Sequence, residues 1–172
     1  MNRLFLFLYL FTAFTLNSFS QSLYDLDREP SFKGITIGEP ISKYNNFLKY
    51  QGYNKGTNAY TITDTNYLSI FNIKMDKGIV VEKNGRVEAI FLSKTYSPGI
   101  FYVKELEVLQ SSLTDRYGQP NVNLTDFSDT PSVAGVRWQA NSIVIDVAYL
   151  FYGTNQPGSG LRYILYKRND DY

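Results

Sequence analysis

Residues 78–92 read GIVVEKNGRVEAIFL, and this stretch decides the fold class. Two strand-like runs, Gly78–Lys83 and Arg86–Leu92, lie on either side of the dipeptide Asn84-Gly85. Asparagine and glycine tolerate the positive φ that both central residues of a tight two-residue turn require. The stretch therefore predicts a β-hairpin, and an antiparallel sheet around it.

Two segments carry apolar residues at helical spacing. The first is Pro40–Gln51, which begins with a proline, a favoured first helical residue, and is followed by Gly52 as a stop. The second is Phe101–Tyr117, which is followed by Gly118 and Pro120, a common pair at helix ends. The apolar stripe of this second helix consists of Tyr102, Leu106, Leu109, Leu113 and Tyr117.

The other apolar segments alternate with period two or are bounded by turn residues, as β-strands are. They are Phe32–Gly38, Ala59–Thr63, Tyr67–Met75, Val133–Ala140, Ile143–Tyr152 and, after a glycine-rich loop at Gly153–Gly160, Leu161–Arg168. Short connections leave no room for the crossovers of a parallel sheet. The sequence thus predicts an α+β fold, an antiparallel β-sheet with two helices packed on one face, in the order strand, helix, strands, helix, strands. We expect one domain over residues 21–172, built of two similar halves at about 32–93 and 94–168.

The first twenty residues have the features of a secretory signal peptide. Arg3 provides a basic start, Leu4–Leu16 is apolar, and Ser18–Ser20 is a small-x-small cleavage site. A membrane anchor is the alternative, but the apolar stretch is shorter than the roughly 20 residues that a spanning helix needs. We therefore expect a mature chain that begins at Gln21 and is periplasmic or secreted, with no integral membrane segment.

Charge and residue types exclude several classes of function. The whole chain has 17 basic and 16 acidic residues, and removal of Arg3 with the signal peptide leaves 16 of each. A nucleic-acid partner is not expected, because such proteins carry a basic excess that neutralises phosphates. The chain has no histidine and no cysteine, which excludes Ser-His-Asp and Cys-His nucleophiles and the usual zinc sites.

Three fragments resemble a known group of exported proteins. They are FKGITIGEPIS at 32–42, LTDRYGQP at 113–120 and VRW at 136–138. Together they resemble small exported bacterial proteins of the β-lactamase-inhibitor-protein-like fold, a group that includes small outer-membrane-assembly lipoproteins. The resemblance implies a non-enzymatic role in binding a protein or a cell-envelope component. The lipid-bearing cysteine of the lipoprotein members is absent here, and Glu39-Pro40 replaces their small polar cap.

Acidic residues leave two chemical alternatives open. A glycan hydrolase would need two carboxylates roughly 5 to 9.5 Å apart across an aromatic cleft. The available pairs are poor, because Glu105 and Glu107 point to different sides of a helix, and Asp126 and Asp129 lie in an ordinary turn. Oxygen ligands for calcium could come from Asn121, Asn123, Asp126 and Asp129, but their spacing lacks the glycine and glutamate of a calcium loop. We therefore expect no catalytic residues, no metal and no cofactor.

The alternation of the last strands defines a candidate binding face. Ile143, Ile145 and Val147 share one side with Trp138, which predicts the core side. The opposite side has the mixture of tyrosine, arginine and polar residues that is common in recognition surfaces. It consists of Arg137, Gln139, Asp146, Tyr152, Arg162 and Tyr166. The same pattern also fits a solvated face with an Arg137–Asp146 pair, so a purely structural envelope component is the third reading.

Overall fold

The computed structural model describes residues 22–97, 103–128, 131–152 and 159–168. The predicted signal peptide, Tyr102, Asp129 and most of the Gly153–Gly160 loop lie outside the described residues. The described helices are α1, Leu23–Arg28, and α2, Val103–Tyr117. The described strands are β1 Ser31–Phe32, β2 Ile35–Thr36, β3 Leu48–Asn54, β4 Thr57–Ile62, β5 Ser69–Ile70, β6 Ile73–Lys74, β7 Lys77–Lys83, β8 Arg86–Tyr96, β9 Val122–Asn123, β10 Ser132–Gln139, β11 Ile143–Phe151 and β12 Ser159–Lys167.

Eight strands form one antiparallel sheet in the order β3-β4-β7-β8-β12-β11-β10-β9. Its first four strands come from the chain before α2 and its last four from the chain after α2, and the two sets meet where β8 pairs with β12. Two small hairpins, β1-β2 and β5-β6, stand apart from this sheet. The sheet therefore has β3 and β9 at its edges and β8 and β12 at its centre.

The predicted hairpin at Asn84-Gly85 is confirmed. It joins β7 to β8, and both turn residues have positive φ, 54° at Asn84 and 78° at Gly85. The carboxylate of Glu82 accepts a hydrogen bond from the backbone N–H of Gly85, which stabilises the turn. β8 then continues to Tyr96 and pairs with β12 at the centre of the sheet.

The predicted helix over Pro40–Gln51 is wrong. The chain makes a single 3₁₀ turn at Ile41–Tyr44 and then enters β3. The buried Tyr44 ring accounts for the apolar spacing, and its hydroxyl accepts a hydrogen bond of 3.0 Å from the N–H of Thr36. Pairing of β3 with β4 across the turn at Lys55-Gly56 supplies the backbone partners of this segment, and a sheet irregularity lies next to Gly52, the glycine that the sequence predicts as a helix stop.

Two predicted strands are tight hairpins instead. Phe32–Gly38 begins at the last residue of β1 and contains β2, with Lys33-Gly34 as the turn between them. Tyr67–Met75 contains β5 and β6 around Phe71-Asn72. All four turn residues have positive φ, which a continuous strand does not allow. The Lys33-Gly34 turn has a glycine where one is favoured. Phenylalanine is unusual in such a turn, so the sequence does not indicate the turn at Phe71-Asn72.

The helices contact one side of the sheet and each other. α1 and α2 both contact β11, and Leu106, Leu109, Leu113 and Tyr117 of α2 are buried in the core as their spacing predicts. An antiparallel sheet with two helices in an α+β fold is thus confirmed. Within the described ranges, no helix has both the length and the apolar character needed to cross a membrane.

Trp138 connects the end of α2 to the sheet. Its side chain is 0% exposed, as its position on the core side predicts, and its Nε1–H donates a 2.8 Å hydrogen bond to the carbonyl oxygen of Gly118. Gly118 has a φ of 80° and donates from its N–H to the carbonyl oxygen of Thr114. The predicted helix end at Gly118 is therefore confirmed, and the glycine forms a left-handed cap there. Trp138 identifies the core side of β10.

Candidate functional site

The side of the eight-stranded sheet that lies opposite α1 and α2 is called the outer face. Because Trp138 points to the helices, its neighbour Arg137 points away from them. The strand register places Arg137 opposite Asp146, Asp146 opposite Ile164, and Ile164 opposite Phe91. Opposed residues of paired strands point to the same side, so these four side chains form one row across the outer face.

Three of the predicted site residues are in direct contact. Arg137 donates from Nε to Oδ1 of Asp146 at 2.6 Å and from Nη2 to Oδ2 at 2.9 Å, which is a two-pronged ion pair. The hydroxyl of Tyr166 donates to the same carboxylate at 3.3 Å, and the Arg137 guanidinium lies 5.9 Å from the centre of the Tyr166 ring. The outer face thus contains a closed Arg-Asp-Tyr cluster, in which Tyr166 lies beside the row.

Electrostatics keep this cluster in one protonation state at neutral pH. The hydrogen bonds that Arg137 donates to Asp146 raise the pKa of Arg137, and its guanidinium therefore stays charged. Burial, together with the negative charge of Asp146, raises the pKa of Tyr166 above the ordinary tyrosine value. The cluster therefore combines a charged guanidinium with a neutral phenol.

The other three predicted residues lie further along the outer face. Arg162 stands two residues before Ile164 on β12, opposite Ala148, and its Nε is buried without a hydrogen bond among the described residues. Tyr152 lies beside Gly160, where an added Cβ would be 3.7 Å from the ring. Gln139 pairs through its backbone with the side chain of Asn121 near the β9 edge. The structure therefore gathers Arg137, Asp146 and Tyr166 and leaves these three outside their contacts.

The outer face of β11 is more buried than its alternation indicates. Asp146 is only 7% exposed, and the neighbouring outward residues Val144, Ala148 and Leu150 are buried as well. The expectation of a mixed, solvated side for this strand is corrected accordingly. β11 has a strand on each side, and long side chains such as Arg137 and Tyr166 extend over it, which a single-strand pattern does not show.

A shallow depression of about 260 Å³ lies over β12, between β8 and β11. Its apolar part is formed by Ala89, Phe91 and Ile164, and Asp146 and Tyr166 of the cluster border it. The charged side chains of Glu88 and Lys167 complete its lining. The depression thus combines an apolar floor with a rim of both charge signs.

Sequence reasoning missed the β8 side of this depression. Ala89, Phe91 and Glu88 belong to the first half of the sheet and meet the candidate face only because β8 pairs with β12. In the same register, Ile79 of β7 stands opposite Phe91, which continues the apolar row. The only signal in the sequence was the alternation of β8, and it gave no information about which strand lies beside it.

Two acidic residues of the chemical alternatives, Glu105 and Asp126, have structural partners. Glu105 accepts hydrogen bonds of 2.7 and 2.9 Å from Lys94 and another from Tyr96. Asp126 caps a turn by accepting from Ser128, and these hydrogen bonds lower the pKa of Asp126. In the part of the chain that the structure describes, no group of three or more acidic side chains could hold a metal ion.

Comparisons with known proteins give no match. No protein-family model matches the chain, and neither the curated proteins nor the solved structures contain one that matches it. The case for a function therefore rests on the geometry of the outer face and on the residues that line its depression.

Proposed function

We propose that the protein is a small, non-enzymatic interaction module that binds a protein partner through the outer face. The observation that supports this is the depression over β12, in which the apolar surface of Ala89, Phe91 and Ile164 adjoins Tyr166 and residues of both charge signs. Recognition surfaces have this composition, with a poorly charged centre, aromatic anchors and a polar rim.

The lining favours a protein over a glycan as the bound component. A polysaccharide is held by aromatic stacking together with many free hydrogen-bonding groups. Here the polar groups beside the apolar floor already bind one another, because Arg137 and Tyr166 both donate to Asp146. Apolar side chains of a protein would bury the floor without breaking these hydrogen bonds, while Glu88 and Lys167 set the orientation.

The proposed location is the periplasm or the medium, with removal of residues 1–20 and a mature chain from Gln21. The proposed fold group is that of the β-lactamase-inhibitor-protein-like exported proteins. This proposal is supported by a sheet in which each side of α2 contributes four strands that meet at β8 and β12. A role in binding a partner outside the cytoplasm agrees with both proposals.

The experiment is capture of a partner by the mature chain, residues 21–172, from the envelope fraction of its own organism. The test variant is Phe91→Ser with Tyr166→Ser, since both side chains are half-buried and line the depression. The matched control is Tyr53→Ser, which removes a ring that is 68% exposed on the edge strand β3. Circular dichroism establishes that all three proteins are folded.

We expect the double variant to lose at least tenfold in affinity for a protein that the wild type and Tyr53→Ser both bind, since a few central anchors dominate an interface. Equal binding by the folded double variant would refute the role of the outer face. Retained material that resists protease and is degraded by glycan hydrolases would refute the choice of a protein partner.

A further inference from the structure

A second cavity, of about 180 Å³, lies on the helix side of the sheet. It is enclosed by the β1-β2 hairpin, the β5-β6 hairpin, the last turn of α2 and strand β12. Its lining is aromatic and basic, with Phe32, Phe71, Tyr117 and Tyr163 beside Lys33 and Arg116. We call it the hairpin groove, and it is separate from the outer face because Tyr163 and the helices lie on the other side of the sheet.

The hairpin groove carries two positive charges and no acidic lining residue. Neither Lys33 nor Arg116 forms a salt bridge with a carboxylate of the described residues. Lys33 donates to the carbonyl oxygen of Asn66 and to Ser69 Oγ, and Arg116 lies 5.3 Å from the ring centre of Tyr117. The end of α2 contributes roughly half a negative charge, which two full positive charges exceed.

The walls of the groove are buried aromatic rings. Phe32, Tyr117 and Tyr163 are buried, and the rings of Phe32 and Tyr163 are tilted together with centres 5.9 Å apart. Burial raises the pKa of Tyr117 and that of Tyr163, so both phenols stay protonated at neutral pH. The walls can therefore contact an apolar body, and they add no negative charge.

Both hairpins place a long side chain at the groove from a left-handed turn. Lys33 has a φ of 48° and is followed by Gly34, whereas Phe71 has a φ of 46° and is followed by Asn72 at 67°. Phenylalanine is strained in this conformation, where glycine, asparagine or aspartate is favoured. Phe71 also remains 37% exposed, so it gains little from burial. Strain of this kind is concentrated at binding sites, where the strained side chain has a use.

We propose that the hairpin groove binds a carboxylate attached to a small aromatic or apolar body. Lys33 and Arg116 hold the carboxylate, and Phe71 closes over a body that rests on Phe32 and Tyr163. The cavity has the volume of about six water molecules in the liquid, which suits one ring or one amino-acid side chain. A free organic acid and the C-terminal residue of a polypeptide share this chemistry.

Titration of the mature chain with phenylacetate, followed by ¹H–¹⁵N correlation spectra, tests the proposal. We expect shifts at the groove residues, and no binding of the neutral phenylacetamide. Lys33→Gln and Arg116→Gln should each weaken binding at least fivefold.

Lys55→Gln is the matched control for Lys33, since Lys55 also precedes a glycine in a left-handed turn, with a φ of 46°. Lys104→Gln is the control for Arg116, because it removes a charge from the other end of α2. Equal binding of phenylacetamide, or unchanged affinity in both groove variants, would overturn the proposal.

Two further experiments test the role of Phe71 and the source of the ligand. Phe71→Asn suits the left-handed turn, so we expect an unchanged or higher melting temperature together with at least fivefold weaker binding of phenylacetate. Retained affinity in that variant would refute the role of Phe71. A short peptide that ends in phenylalanine, compared with its C-terminal amide, distinguishes a polypeptide terminus from a free acid. The outer-face variant Phe91→Ser with Tyr166→Ser should bind phenylacetate like the wild type, so failure here is independent of the function proposed above.

Discussion

Replacing Asp27 by asparagine removes one negative charge from the anchor of α1 and keeps the shape of the side chain. Asp27 Oδ1 accepts hydrogen bonds from the N–H of Ser142 at 2.9 Å, the Oγ–H of Ser142 at 2.9 Å and the N–H of Ile143 at 3.1 Å. Its Oδ2 accepts from the N–H of Asn141 at 3.0 Å. One carboxylate thus caps the whole turn between β10 and β11.

The magnitude follows from the number of donors and their exposure. Hydrogen bonds to a charged group contribute about 1.5 to 3 kcal/mol each when well formed, but these four share one half-buried carboxylate. We therefore expect Asp27→Ala to lower the free energy of unfolding by about 2 to 3 kcal/mol in total. Asparagine can still accept the bonds of Oδ1, while its amide faces the N–H of Asn141, so Asp27→Asn should cost about 1 to 1.5 kcal/mol.

The effect of Asp27→Asn should depend on pH. Burial raises the pKa of Asp27, but the hydrogen bonds from Ser142, Asn141 and Ile143 outweigh it and hold that pKa below its ordinary value. A carboxylate with a lowered folded pKa stabilises the protein above the unfolded pKa of about 3.9, and this stabilisation is lost as the pH falls through the folded value. The wild type and Asp27→Asn should thus differ at neutral pH and converge as the pH falls through the lowered folded pKa of Asp27.

Urea unfolding at a series of pH values, followed by tryptophan emission, measures this difference. A second measurement is hydrogen exchange at the amide of Leu26, since α1 has six residues and is too short to persist without its anchor. Exchange there should be faster in Asp27→Asn at neutral pH. An unchanged unfolding midpoint at neutral pH, or a difference that is equally large at low pH, would refute the assignment of Asp27 as the anchor.

The remaining predictions concern the sheet and the end of α2. Trp138→Ala should cost roughly 3 to 5 kcal/mol as a large core truncation, and native emission should be blue-shifted; red, readily quenched emission would contradict its burial. Gly118→Val should cost about 1 kcal/mol or more, because valine is strained at positive φ, and an equal denaturation midpoint would contradict the cap. Gly135→Ala should cost about 1 to 3 kcal/mol, because its Cβ would lie 2.5 Å from the carbonyl oxygen of Val147. Gly52→Ala is the control, with open space around its Cβ.

Local sequence patterns predicted the elements in which the conformational preference of the residues matches the conformation in the structure. Asn84-Gly85 has the residues that its turn conformation needs, and the stripe of α2 ends at a glycine that occupies the left-handed region. Trp138 could be assigned to the core because both β10 and β11 alternate clearly. In each case the neighbours in sequence are also the neighbours that determine the conformation.

Strand pairing explains what the sequence could not show. The segment Pro40–Gln51 has a helical period, yet its second part is a strand that pairs with β4 across the tight turn at Lys55-Gly56. On the outer face, the alternation of β11 and β12 predicted the side of Arg137, Asp146 and Tyr166. It could not predict that Asp146 would be buried, since that depends on side chains from both neighbouring strands.

The hairpin groove was missed for a different reason, which also bears on its use. Phe71-Asn72 looks like part of a strand because phenylalanine is common in strands and rare in left-handed turns. A sequence chosen for stability alone would place asparagine or glycine at position 71, as Asn84 occupies the equivalent first position of the turn between β7 and β8. The sequence contradicts the local conformation at Phe71, whose side chain borders a cavity with two positive charges and no acidic lining. Such conflicts between local preference and structure are expected at functional sites. For this reason, Phe71→Asn is a sharper test of the groove than removal of either charge. It should weaken ligand binding while the melting temperature stays the same or rises.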